Sequence, residues 1–156
     1  MSETVQPRIK YKSYNYHTHL KWLGNRAGIL SSEGKPEFRV ASPPEFKGET
    51  GVWTPEDLFV ASVETCTMTT FAAYSLKRNL PVVSYTSYAE GTLENQDGVY
   101  RFTQIVLKPT ILVEAETFVA EARKILEEAH RDCFIANSIL GKVTIEPVIM
   151  VSPEDR

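Results

Sequence analysis

One stretch constrains the fold more than any other: from Thr54 to Asn79 the chain carries the start and stop signals of a single long helix, with almost no charge between them. Thr54 is placed to cap, Pro55 suits the first helical position, and Glu56 and Asp57 put negative charge at the positive end of the helix dipole. Pro81 forbids continuation. From Leu58 to Leu76 the one charged residue is Glu64. A helix that is apolar or small on nearly every side must be buried against more than one surface, so a sheet on one side and another helix on the other are expected. Ten residues beyond Glu56 lies Cys66, and a second cysteine, Cys133, comes far downstream.

The chain of 156 residues fits one domain with a real core. The formal net charge is -3 and the lysines and arginines are dispersed, which argues against a nucleic-acid surface. No apolar run approaches the roughly 18 residues of a membrane span, and Met1-Ser2-Glu3-Thr4 lacks the layout of a secretory signal. A soluble, cytoplasmic protein is expected. In that compartment two cysteines are not a structural staple, so a redox or nucleophilic role comes into view.

Around the helix the pattern is mostly strand. Tyr11 to Trp22 alternates, with Tyr14, Tyr16, Leu20 and Trp22 on one face, and reads as a half-buried antiparallel strand. Gly28 to Leu30 and Phe38 to Ala41 follow as short strands after turns at Gly24-Asn25 and Glu33-Gly34. Residues 42–53, with Pro43, Pro44, Gly48 and Gly51, form an irregular loop. Val82 to Glu94 and Val99 to Val113 form a hairpin through Asn95-Gln96-Asp97-Gly98. Phe118, Ala122, Ile125, Leu126 and Ala129 recur at helical spacing, and the stripe reaches Cys133. A short helical piece from Ile135 to Leu140 and a last strand from Val143 to Val151 complete an α+β domain, antiparallel sheets packed around a long buried central helix.

Each cysteine alone reads most simply as an inert core thiol. Together, Cys66 could attack an electrophile and Cys133 resolve the product as a disulfide. Burial in mid-helix raises a thiol pKa, so this chemistry requires a cation nearby.

The run Thr54-Pro55-Glu56-Asp57-Leu58-Phe59, then Cys66, then Ala129-His130 and Cys133 resembles the OsmC/Ohr family of hydroperoxide reductases over almost the whole chain. The resemblance implies an OsmC-like fold in an intertwined homodimer with sites at the subunit interface. It makes Cys66 the peroxidatic and Cys133 the resolving cysteine, and Glu56 the carboxylate that orients an arginine. The nearest counterpart of that arginine is Arg26, ahead of Ser31-Ser32-Glu33-Gly34, with Arg39 as the fallback. It implies a hydroperoxide substrate, organic by preference, a dithiol reductant of lipoyl or thioredoxin type, and no metal or organic cofactor. Two positions depart from the family pattern: Thr54 replaces the usual Asn, and Phe134 follows Cys133 where the family commonly has Pro. Ten residues of helix rise about 15 Å, so Glu56 cannot touch Cys66 along one straight helix: either the helix bends or the partner comes from elsewhere, and the interface site that the resemblance implies makes a site shared between subunits the expectation.

Other residues are weaker candidates. His17 and His19 share a strand face at metal-ligand spacing but lack a third ligand. His130 lies one turn before Cys133 and either tunes it or faces solvent. Cys66, His130 and Asn137 follow the order of a cysteine hydrolase triad without its local signature. Tyr85, Tyr88, Tyr100 and Phe102 are cross-strand core or dimer contacts, or the lining of an apolar peroxide pocket. The competing function is a non-catalytic dimeric module that binds a small apolar ligand and keeps its thiols inert.

Overall fold

The computed structural model of the protein describes residues 11–153. They fall into two compact units, one running up to Thr54 and the other beginning at Pro55, where the sequence places the start of the long helix.

The first unit is a three-stranded antiparallel meander of β1 (His19–Gly24), β2 (Ala27–Ser31) and β3 (Phe38–Ala41) in the order β1-β2-β3. β3 has the bounds read from the sequence. β1 is shorter than the strand expected from Tyr11, because its ladder ends where its partner does, at the pair His19 and Ser31. Residues 11–18 have no regular secondary structure, although the Ser32 hydroxyl donates to the His17 carbonyl at 3.0 Å. Nor is β1 half-buried: Leu20 is 68% and Trp22 73% exposed. The loop after β3 contains one 3-10 turn, Pro44–Phe46, and folds back so that Ala41 N–H donates to the Trp53 carbonyl and Ser42 N–H to the Arg26 carbonyl, both at 3.1 Å.

The second unit opens with α1 (Pro55–Lys77), close to the expected span. Asn79 takes a left-handed conformation with φ 54°, and Leu80 N–H donates to the Ser75 carbonyl at 2.9 Å, which closes the C-terminal carbonyls before Pro81. The buried face is a stripe at i+4 spacing, Val63, Thr67, Phe71 and Ser75. All-round burial is not met within the chain, since Met68 and Leu76 are exposed.

The hairpin follows as β4 (Val82–Gln96) and β5 (Val99–Val113). Asp97 and Gly98 both have positive φ, 53° and 85°, the requirement of a two-residue turn whose twist matches the strands. α1 lies so close to β4 that a Cβ on Gly91 would sit 2.5 Å from Val60 Cγ2 and 2.9 Å from Phe102 Cε1. α2 (Val119–Arg131) buries the stripe the sequence shows, Ala122, Ile125, Leu126 and Ala129. These residues form one core cluster with Phe71, Ile111 and Val113, while Val63, Ile105 and Leu107 form a second.

The expected single last strand is two, β6 (Lys142–Ile145) and β7 (Val148–Val151), interrupted at Glu146-Pro147 because proline cannot donate to a ladder. Both lie on the same edge of β5, and the gap between them faces Lys108-Pro109. Pro109, which also lacks an N–H, is therefore tolerated in a central strand. β6 and β7 pair parallel to β5, so this sheet is mixed: the chain crosses back over it through α2 before rejoining it.

Candidate active site

Both cysteines are free thiols. Cys66 sits half-buried at the middle of α1, and Cys133 is fully buried two residues after α2 ends. Although 66 residues lie between them in the sequence, the fold brings the two thiols near enough for each to act on the other's pKa.

What surrounds them is backbone. After Cys133 the chain makes a tight turn in which Asn137 N–H donates to the Cys133 carbonyl at 3.0 Å, and Ala136–Ser138 continue as a 3-10 turn. A turn of this kind leaves its first amides without carbonyl partners. Ala136 N–H donates to Cys133 Sγ at 3.4 Å, and the amides of Ile135 and Phe134 lie near enough to the Cys66 thiol to pull its pKa down. Burial pushes the Cys66 thiol pKa up, but the Ile135 amide, the Cys133 thiol, the Phe134 amide and the Thr70 hydroxyl outweigh it, and the net shift is down. Cys133 moves the other way. Its own burial and the developing charge on Cys66 raise it, against the Ala136 amide and the Thr67 hydroxyl. Two thiols with opposed shifts are what an attacking and a resolving cysteine require.

The turn is sewn to α1. Tyr74, two helical turns beyond Cys66, donates its hydroxyl to Asp132 Oδ2 at 2.8 Å. The Arg131 guanidinium grips the same carboxylate at 2.8 and 3.0 Å, and together they hold its pKa down to about 2. Asn137 Nδ2 donates to the Arg131 carbonyl at 3.0 Å, and Arg78 on α1 forms ion pairs with Glu121 and Glu128 on α2. On the other side of α1, Glu64 accepts a hydrogen bond from Ser87.

The remaining predicted residues fall elsewhere. Arg26 donates Nη1 to the Phe46 carbonyl at 2.7 Å, and Arg39 forms a two-point pair with Glu49 at 2.6 and 2.8 Å, so both arginines hold the loop of the first unit. Glu56 Oε2 is buried and has no hydrogen-bond partner among the described residues. Among the groups of the second unit that act on Cys66, none is a cation. The hydrolase-triad order is not assembled: Asn137 is spent on Arg131, and the His130 imidazole bonds to the Val143 carbonyl while burial lowers its pKa. His130 meets Cys133 only through its backbone carbonyl, which accepts the Cys133 N–H at 3.3 Å. His17 and His19 are exposed, and no cluster of three potential metal-ligating residues occurs among the described residues. Tyr85 packs on Phe71, its phenol pushed up to about 12 by burial and by Glu64, and Phe102 stacks on Phe59 at 4.8 Å. Tyr88 and Tyr100 are exposed.

A family model described as OsmC-like protein matches residues 48–148. The chain belongs to this family. It is 25% identical over 138 residues to the uncharacterised protein YmaD of Bacillus subtilis, covering 85% of this chain and 92% of that one. Among solved structures, an OsmC-like protein of unknown function from Vibrio cholerae superposes with TM-score 0.80 at 25% identity, over 87% of this chain and 100% of that chain. An organic hydroperoxide resistance protein from Elizabethkingia anophelis, at 20% identity, shares the fold with TM-score 0.71 over 92% of this chain and 100% of its own. In this OsmC-like chain the two features that sequence reading overlooks are the amides of residues 134–136 and the Tyr74–Asp132 tie. The first had a visible signal, since Phe134 stands where the family commonly has a proline that could not donate. The second had none.

Proposed function

We propose that this OsmC-like protein is a two-cysteine hydroperoxide reductase. The observation that carries the reading is the pair of thiols itself, near enough to act on one another and shifted in opposite directions, Cys66 down and Cys133 up. The Cys66 thiolate attacks the distal peroxide oxygen of ROOH; the O–O bond breaks, and RO⁻ leaves and takes a proton to become ROH. Cys66 is then a sulfenic acid. The Cys133 sulfur displaces its hydroxyl, releasing water and forming the Cys66–Cys133 disulfide. A dithiol donor of lipoyl or thioredoxin type reduces that disulfide and is itself oxidised.

In this reading a guanidinium completes the site by stabilising the thiolate and the departing alkoxide, and Arg26 is the residue we assign to it, held by Glu56 in a bidentate pair. The unpartnered Glu56 oxygen supports a missing cation, and the exposed apolar residues of β1 and α1 support a second copy of the chain as its source. An intertwined homodimer with a composite site satisfies both. No described helix is long and apolar enough to cross a membrane, and a cytoplasmic location remains part of the proposal.

The competing reading, a non-catalytic binding module, has one observation in its favour: a cavity of about 250 Å³ lined mostly by apolar residues of α1, β4 and the link between them, including Phe71, Leu80 and Tyr85. Consumption of cumene hydroperoxide with dihydrolipoamide separates the two. Turnover that is lost in Cys66→Ser, and that stops at a trappable sulfenic acid in Cys133→Ser, is the expected result. Equal inactivity of all three proteins toward both hydrogen peroxide and cumene hydroperoxide would overturn it.

A further inference from the structure

A second concavity, separate from the thiols, lies between the hairpin and the segment that leads into β6. Its volume is about 650 Å³, within the range of small-molecule sites. Phe59 and Phe102, stacked with 23° between their planes, form an aromatic part of its lining, Ile139 and Leu140 add aliphatic surface, and Arg101 and Lys142 supply two positive charges. Leu140 is 96% exposed, an apolar side chain held in water beside a lining of mixed polarity. The wall depends on Gly141: a Cβ there would sit 2.4 Å from the Phe102 carbonyl oxygen, so a residue with a side chain could not pass β5 at this distance.

The charges settle the occupant. No acidic residue lines the concavity, and among the described residues neither Arg101 nor Lys142 has an ion pair. The carboxylate opposite Arg101 in register, Glu94, is hydrogen-bonded to the Thr103 hydroxyl. Lys142 is paired in register with Gln104, three residues along β5 from Arg101. Two cations without an ion pair among the described residues, beside a lining that joins Phe59, Phe102 and Ile139 to the polar Gln96, Thr103 and Ser138, complement an anion with an apolar body.

We propose that this concavity binds an amphipathic carboxylate, its apolar body against Phe59, Phe102 and Ile139 and its carboxylate between Arg101 and Lys142. The site uses neither cysteine and is read without peroxide, so it stands or falls independently of the peroxidase reading.

The test is a calorimetric titration of the full chain with decanoate and, as an uncharged match, decanol. Decanoate is expected to bind, decanol at least about tenfold more weakly, and Arg101→Gln/Lys142→Gln to weaken decanoate by about tenfold or more, as the loss of two charge-assisted contacts implies. Both positions carry surface side chains, so the variant keeps its fold, which circular dichroism checks. Lys108→Gln, whose ammonium lies over Tyr88 outside the concavity, is expected to bind decanoate as the native chain does. No binding of decanoate, equal binding of decanol, or undiminished binding by the double variant each overturns the proposal.

Discussion

Replacing Phe134 by proline deletes one N–H and leaves every side chain near the sulfurs in place. That amide is one of two that pull the Cys66 pKa down. A hydrogen bond to a charged group contributes about 1.5–3 kcal/mol, and Cys66 is only half-buried, so the lower end applies. At 1.36 kcal/mol per pH unit, the Cys66 pKa should rise by about 1 unit. Alkylation by iodoacetamide as a function of pH reads this directly. Below both pKa values the thiolate fraction falls about tenfold, but a more basic thiolate is intrinsically about threefold more nucleophilic, so Phe134→Pro should react roughly three times more slowly. Above both values it should react roughly three times faster, so the two profiles cross. Phe134→Ala, which keeps the N–H, should follow the native curve. Because proline also restricts Cys133, the α-hydroxy acid analogue of phenylalanine at 134 gives a second route to the same deletion without the ring. A uniform slowing with an unmoved midpoint, or an equal shift in Phe134→Ala, would refute the assignment of that amide to the thiolate.

Tyr74→Phe removes the hydroxyl that ties α1 to Asp132, and peroxide-driven disulfide formation should slow severalfold while Cys66 sulfenic acid still forms, as trapping with dimedone would reveal. Asp132 has its pKa depressed to about 2 in the folded chain, so its stabilising contribution is complete above the ordinary carboxyl value near 3.8 and is lost as pH falls toward 2; urea midpoints should decline over that window, and more shallowly in Asp132→Asn. Gly91→Ala drives a methyl into Val60 and Phe102 and should cost about 1–3 kcal/mol in urea unfolding, with partial recovery in Val60→Ala/Gly91→Ala. Leu126→Ala, in the main core cluster, should cost about 2–5 kcal/mol by the same measurement.

The helices and the hairpin were legible because each writes its rule locally. α1 has a proline and two carboxylates at its start and a proline beyond its end, α2 has an apolar stripe of one period, and the hairpin has Asp97-Gly98 at its turn. The long first strand was not legible, since alternation from Tyr11 onward says nothing about where the partner β2 runs out. Nor was the parallel pairing of β6 and β7, because a nine-residue run reads the same whichever way its neighbour points. Of the candidate site, Cys66 and Cys133 were singled out on the sequence, and their meeting was an expectation. The amides beside Cys66 escaped because a backbone amide has no letter of its own in the sequence, and the one indirect sign of them was Phe134 in a place where the family commonly has proline.

That omission bears on how the thiolate is held. A nearby cation such as a guanidinium is one remedy for a buried thiol, and the sequence reading asked for a cation because burial alone pushes Cys66 the wrong way. Amides differ from a guanidinium in two physical respects: they carry no net charge to be screened by salt, and they are fixed by the turn rather than by a flexible side chain. The amides of Phe134 and Ile135 that pull the Cys66 pKa down belong to the second unit itself, so on the proposed reading part of the activation would not wait for an arginine. A guanidinium brought to Glu56 would then act chiefly on the charge that appears later, on the departing alkoxide. On this division of labour, Arg26→Lys should impair peroxide turnover more than it impairs alkylation of Cys66 by iodoacetamide, whose leaving iodide needs no such stabilisation. Equal losses in both reactions would mean that the arginine, and not the turn, holds the thiolate.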